Sequence, residues 1–406
     1  MLNASTGSPE KQTLSWQFKQ RIGPLVLLDH TDVDCTNAHR LLGQDVRAQI
    51  HKFLSKRLDE LGGIEPTEQQ IRRARKIHAA LFSKTQIPGL DEIIKNAVSE
   101  YIACLSAWAL GAELADFRHT SLPENVDGLP VTSEDLAIIL QEDEVGCQTG
   151  VYREAGGSVI LWHAEEDVET APGQRFDRLR LFTFRAADNS IATGFIYPDL
   201  LPGPTYAWQS SESGYFAQAV DTLHIKMVDF EDGILPNTLA WLSLYLGTRV
   251  PLVKLAKALG PFLGGYSLTG VYEKNNRVGV EKVEFANNQV HCTSLGEASG
   301  STLFQTNIIS DLSLPISAEE QASPESRAWN KKRLARTARF IRVVQKCPDA
   351  LPQIFRMIRS RLGKDSAYAN YDVKTYLVCQ MKPDKISIWA GAGAAMKSDA
   401  LYFFTP

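Results

Sequence analysis

The chain has 406 residues, 44% of them hydrophobic and 22% charged, which is globular material with length for one large core or two modest ones. A net charge of -4 and a pI near 6.1 give no general attraction to nucleic acid or to an anionic membrane. The N-terminal stretch MLNASTGSPEKQTLSWQFKQRIG lacks an apolar signal core, and no run approaches the roughly 18 apolar residues of a membrane span, so a cytoplasmic protein with neither kind of partner is expected.

The first third reads as helical. From Leu42 the apolar positions recur at Val46, Ile50, Leu54 and Leu58, one helical turn apart, until Gly62 and Gly63 stop the pattern. A second helix is expected after Thr67, whose T-E-Q-Q spacing forms a capping box with Gln70. A third follows in IPGLDEIIKNAVSEYIACL. Beyond Cys147 the texture turns to β: SVILWH, RLRLFTFRA, IATGFIYP, LHIKMVDF and GVEKVEF alternate with turn residues, and TYLVCQMKPDKISIWAG reads as a hairpin about Pro383 and Asp384. Helices interrupt at NTLAWLSLYLG, LVKLAKALG and NKKRLARTARFIRVVQ. In the last of these the basic run from Lys331 to Arg339 reads as an exposed face, with Leu334, Ala338 and Ile341 on the apolar side.

The six cysteines, Cys35, Cys104, Cys147, Cys292, Cys347 and Cys379, form no C-x-x-C pair and have no histidine at zinc-ligand spacing, which argues against a disulfide framework and a structural zinc. YIACLSAW and TYLVCQMK read as core contexts for Cys104 and Cys379. The usual phosphate, zinc-protease and dinucleotide signatures are absent from the sequence, so neither a metal nor an organic cofactor is expected. Cys147 stands apart, following Gly146 where an acidic clump, EDEV, gives way to the β-rich half.

That order, a helical leader and then an α+β body opening at a Gly-Cys bond, resembles the acyl-coenzyme A:6-aminopenicillanic acid acyltransferase family. These are cysteine N-terminal-nucleophile (Ntn) hydrolases made as precursors that cut themselves before a cysteine. AHRLLGQDVRAQI is similar to the family's leader helix, and IPGLDEIIKNAVSEY to its P-x-x-x-E-E-hydrophobic segment. GCQT stands where these proteins carry G-C-T-T or G-C-S-S. GGSVILWHAEED resembles G-x-V-L-L-G-H-N-E-D-W, LFQTNIISD resembles H-T-N-H, and SPESRAWNKKRL resembles the S-x-x-R helix start that follows. The likeness runs from about Ala38 to the C-terminus.

The resemblance implies an Ntn αββα four-layer sandwich: two stacked antiparallel sheets flanked by helices, with 1–146 as a helical leader wrapping the body and 147–406 as the fragment headed by Cys147. It implies autocatalytic cleavage of a zymogen between Gly146 and Cys147, the two fragments staying associated. The chemistry of the residues agrees. A thiol needs activation at neutral pH, and a free α-amine on the same residue, with a reference pKa near 8, can accept its proton. Gly146, without a Cβ, admits the strained conformation of an N-to-S acyl shift. Thr149 and Gln148 would begin the strand that carries Cys147.

A carboxylate should orient the amine. An ungapped comparison puts Glu166 in the family's Asp place; a shift of one residue puts Asp167 there, with Glu165 at the Asn position. Asn307 resembles the amide that donates to the oxyanion. Ser326 and Arg327 match the S-x-x-R element, whose arginine lies near the nucleophile. His163 opens a Cys-His dyad as the alternative to an ordinary strand-end histidine. The expected activity is hydrolysis or N-acyl transfer on linear amide bonds through a thioester on Cys147, with a small-molecule amide or acyl donor as substrate. YPDLLPGPTYAWQSSESGY is the expected pocket rim. Two rivals remain open, a catalytically degenerate scaffold and an unprocessed Cys-His amidase or thioesterase, as does assembly into a homo-oligomer.

Overall fold

The apolar stripe of the first third lies along one side of a single helix, α1 (Cys35–Leu61), with Leu42, Val46, Ile50, Leu54 and Leu58 all buried. Asp34 caps its start by accepting the Asn37 amide at 2.8 Å. Gly62 ends it at φ 79°, a left-handed conformation that glycine adopts without steric cost. The structure, a computed structural model, describes residues 17–18, 26–141, 146–166, 180–212, 214–225, 232–309, 323–347, 349–359, 373–392 and 401–405.

Helix α2 (Ile64–Thr85) starts three residues before the expected cap. Thr67 sits inside its first turn, where its hydroxyl donates to the Gly63 carbonyl at 2.7 Å. Pro66 explains the earlier start, because the first turn leaves its N–H groups unbonded and tolerates proline. Helix α3 (Glu92–Gly111) is capped by Asp91, and α4 (Ser133–Leu140) by a Thr132–Asp135 capping box that the sequence reading passed over. Four further helices follow: α5 (Pro236–Leu246), α6 (Leu252–Leu259), α7 (Pro324–Val344) and α8 (Leu351–Arg359).

Seventeen strands are described. In chain order they are β1 (Gln17–Phe18), β2 (Val26–His30), β3 (Asn125–Val126), β4 (Leu129–Pro130), β5 (Gly146–Arg153), β6 (Val159–Glu166), β7 (Arg180–Arg185), β8 (Ile191–Ile196), β9 (Tyr206–Ser211), β10 (Gly214–Thr222), β11 (Gly265–Lys274), β12 (Arg277–Ala286), β13 (Gln289–Ser294), β14 (Thr302–Gln305), β15 (Val373–Lys382), β16 (Lys385–Ala392) and β17 (Leu401–Thr405). One sheet has the order β1-β17-β16-β15-β6-β5-β14, and a second the order β13-β12-β11-β10-β9-β8-β7-β2. Strands β3 and β4 pair by themselves. The expected hairpin is β15 and β16. LHIKMVDF departs from expectation: β10 already ends at Thr222, and residues 226–230 lie outside the described ones.

Side-chain alternation makes each sheet two-sided. Val151, Leu161, Leu377 and Cys379 of the first sheet pack against Leu181, Phe195, Tyr206 and Val271 of the second. On its other face the first sheet turns Ile160, Trp162 and Val378 toward Ile341 and Val344 of α7 and Ile354 and Met357 of α8. The second sheet turns Phe182, Phe184, Val220 and Phe285 into a core shared with α1 to α6. The result is an α+β stack of two facing sheets with helices on both outer sides. Residues before Cys147 are built into the body, since β2 pairs in parallel with β7 and α1 shares the second sheet's core. Among the described residues no helix is long and apolar enough to cross a membrane.

Candidate active site

Cys147 is the second residue of β5, 1% exposed, and its side chain enters the space between the two sheets at one end. The alternation of GCQTGVYR decides this: Cys147, Thr149 and Val151 share the inner face. On the outer face, the Gln148 amide meets the Thr337 hydroxyl of α7. Gly150, on that same face, leaves room for Trp162 across the ladder, whose ring a Cβ would strike.

Every polar atom of Cys147 is engaged. Its N–H donates to Asn307 Oδ1 at 3.2 Å, its carbonyl accepts from Arg333 Nη2 at 3.0 Å, and its thiol donates to the Val220 carbonyl at 3.3 Å. Asn307 Nδ2 lies 3.6 Å from the sulfur and also donates to the Thr222 carbonyl at 2.9 Å. Arg333 Nη1 in turn donates to Asn307 Oδ1 at 3.2 Å and to Asn330 Oδ1 at 2.9 Å. Thiol, amide and guanidinium thus form one buried cluster drawn from β5, the segment after β14, and α7.

The cross-strand neighbours of Cys147 and Thr149 on β6 are Glu165 and His163. The Thr149 hydroxyl donates to His163 Nδ1 at 2.8 Å, His163 Nε2 donates to Glu165 Oε1 at 2.5 Å, and the Tyr197 hydroxyl donates to Glu165 Oε2 at 2.6 Å. Asp221, on β10, faces this group from the second sheet, fully buried, with His163, Thr149 and Cys147 beside its carboxylate.

Burial sets the protonation here. It pushes the Cys147 thiol well above its ordinary value, the negative Asp221 and Glu165 add to the rise, and the Arg333 charge opposes it. Asp221 is itself held above the usual carboxylate range by burial, against the opposing pull of His163 and Arg333. His224, half-buried beside the cluster, is held below the ordinary imidazole value by burial and then by Arg333. A neutral thiol is what the bond to the Val220 carbonyl requires.

Of the expected site residues, Cys147, Thr149, His163 and Asn307 come together. Gly146 is the first residue of β5 and pairs through its backbone with Glu166, the last of β6. Asp167 and the side chains of Glu166 and Ser326 lie outside the described residues. Of the three expected acidic residues, the one whose side chain is described, Glu165, lies in the cluster. An arginine of the basic run, Arg333, is found there, so that run of α7 is no purely exposed face. Asn330, Arg333, Thr337, Ile341 and Val344 are its buried stripe, while Leu334 and Ala338 are only partly buried. Spacings of three and four residues carried that stripe in the sequence, but an arginine within a basic run gave no sign of facing inward. The expected rim is likewise drawn into the interior, with Tyr197, Leu200, Leu201 and Tyr206 buried.

Cys147 Sγ, a His163 nitrogen and a Glu165 oxygen lie within 4.8 Å of one another, donor types that suit zinc. Both His163 nitrogens are already held by Thr149 and Glu165, so ligation would have to break that chain. The sequence matches no family model and no curated protein.

Proposed function

We propose that this protein is a cysteine Ntn hydrolase, made as a self-cleaving precursor and acting on linear amides through an acyl thioester on Cys147. The observation that carries the reading is a buried cysteine at the head of a strand whose sulfur and amide are both held by Asn307 and whose carbonyl is held by Arg333. Two facing sheets with helices on both outer sides are the layers such an αββα sandwich needs.

In the intact chain the nitrogen of Cys147 is a peptide nitrogen and no base, and the thiol is neutral, so the precursor is latent. Attack of the sulfur on the Gly146 carbonyl carbon moves the acyl chain from nitrogen to sulfur, and water then hydrolyses the thioester. The freed α-amine, with a reference pKa near 8, can take the thiol proton. Cys147 next attacks the substrate carbonyl, and Asn307 Nδ2 stabilises the oxyanion, a donor worth ~3 kcal/mol in comparable sites. The amine protonates the leaving nitrogen, and water or a second amine takes the acyl group. Glu165 and Asp221 orient the charged amine.

The test is intact-mass measurement on purified protein. Fragments of about 16 and 29 kDa are expected, in proportion to cleavage of the 45.0 kDa chain before Cys147, with an acyl adduct on the fragment that begins at Cys147 after acid trapping with an amide substrate. The hydrogen-bonded His163–Glu165 pair favours a second reading, an unprocessed Cys-His amidase or thioesterase. A single 45 kDa species that turns over amides or thioesters selects it, and a single species without turnover selects a scaffold.

A further inference from the structure

Away from Cys147, two other cysteines face each other between α1 and α3. Cys35 is the first residue of α1 and Cys104 lies within α3; their sulfurs are 3.5 Å apart although 69 residues separate them in sequence. The helices approach this closely because Gly43 and Gly111 lack a Cβ, which would strike the Trp108 and Arg40 carbonyl oxygens respectively. His39, one turn along from Cys35, has Nδ1 2.8 Å from the Cys35 carbonyl, and its Nε2 accepts from the Trp241 indole at 3.1 Å. That pattern puts the ring proton on Nδ1 and commits both nitrogens. Although the three donor atoms lie within 4.8 Å, the group that remains available is a dithiol.

We propose that Cys35 and Cys104 form an oxidisable pair, a modification site at which a hydroperoxide converts the two thiols into a disulfide joining α1 to α3. A disulfide bond measures about 2.0 Å, so the sulfurs have only ~1.5 Å to close. Their surroundings assign the roles. Cys35 keeps 7% exposure and stands at the positive end of a long helix dipole. Burial alone would raise its thiol, but the hydrogen bond with Cys104 brings it below the ordinary thiol value. Cys104 is fully buried, and that burial pushes its thiol well above the ordinary value. Glu100 Oε1, 3.9 Å from the Cys104 sulfur, is placed to take its proton.

Cys35 thiolate therefore attacks the peroxide O–O bond, becomes a sulfenic acid and releases hydroxide, which gains a proton to give water. The Cys104 sulfur then attacks the Cys35 sulfur, the S–OH bond breaks, and the proton from Cys104 leaves with the hydroxyl as a second water. Two thiols and one hydrogen peroxide give one disulfide and two waters, the two sulfurs together losing the two electrons that the peroxide gains. The bond lies wholly within the segment before Cys147, so this inference is independent of the proposed cleavage.

The test treats the full chain with hydrogen peroxide, blocks the remaining thiols and maps peptides without reduction. A crosslink between the Cys35 and Cys104 peptides, lighter by two hydrogens, is expected, with a melting temperature raised by about 5 °C and both effects reversed by dithiothreitol. In Cys104→Ser the resolving thiol is gone, so Cys35 sulfenic acid should accumulate and be trapped by dimedone. Peroxide that leaves both cysteines open to alkylation after unfolding, or that yields separate sulfinic acids in the unsubstituted protein, overturns the proposal.

Discussion

Cys147 and Cys379 occupy the same face of the same sheet, on the two strands that flank β6, with Glu165 and Leu161 as their cross-strand partners. Both are almost completely buried, and burial raises both thiols. Around Cys379 lie Leu161, Leu377, Met381 and Ile388. Around Cys147 lie Asn307, Arg333, Glu165 and Asp221. Burial fixes the protonation state in both places and distinguishes nothing; the polar neighbours do. A hydrophobic surround makes a thiol inert packing, whereas paired donors and carboxylates can stabilise the charges that form if it reacts.

The sharpest way to break this comparison is to remove each sulfur. Cys147→Ala should abolish processing and lower amide turnover by 10³-fold or more. Cys379→Ala should be processed normally and lose only about 1–2 kcal/mol of stability, as a small core truncation does. Intact mass, an amide assay and denaturant melts read all three, and the reverse pattern would place the chemistry at the wrong cysteine.

Truncating the amide comes next. Asn307→Ala removes a donor beside the sulfur and should cost roughly 10²-fold in kcat with KM little changed. An effect confined to KM would make Asn307 a binding residue.

The two arginines of α7 give a smaller and more local contrast. Arg333→Met leaves the Cys147 carbonyl without its charged donor and should slow precursor cleavage about tenfold or more, while Arg327→Met should change it by less than about threefold. Time courses of fragment appearance measure both, and equal slowing would deny Arg333 its special place.

The smallest effect concerns Asp221 and is best read as pH-dependent stability. Its folded pKa is raised above the unfolded value of about 3.9. Its contribution to stability is therefore complete below about pH 4 and is lost as the pH rises through the folded value. Asp221→Asn cannot ionise, so it should melt a few degrees higher than the natural chain at pH 7, with the difference vanishing toward pH 4. A gain of equal size at both pH values would show that charge is not its cause.

Much of this was legible in residue order alone. The period of Leu42, Val46, Ile50, Leu54 and Leu58 specifies α1 because a helix brings every third or fourth side chain to one side. The alternation in GCQTGVYR puts Cys147 and Thr149 on one face whatever that face meets. Local chemistry even marked the one cysteine that follows glycine at a change of texture. What sequence could not decide is which groups from elsewhere would meet those faces. Glu165 enters the cluster because β6 pairs with β5 in a register that sets residue 165 opposite residue 147, and a slip of one would turn its side chain to the other face. Arg333 turns inward because α7 docks on the sheet by the side that carries Asn330 and Thr337. Asp221 arrives from the second sheet, and Cys104 reaches Cys35 across 69 residues. These contacts follow from how sheets and helices stack, and a chain's local periodicities fix its faces but not the partners those faces find.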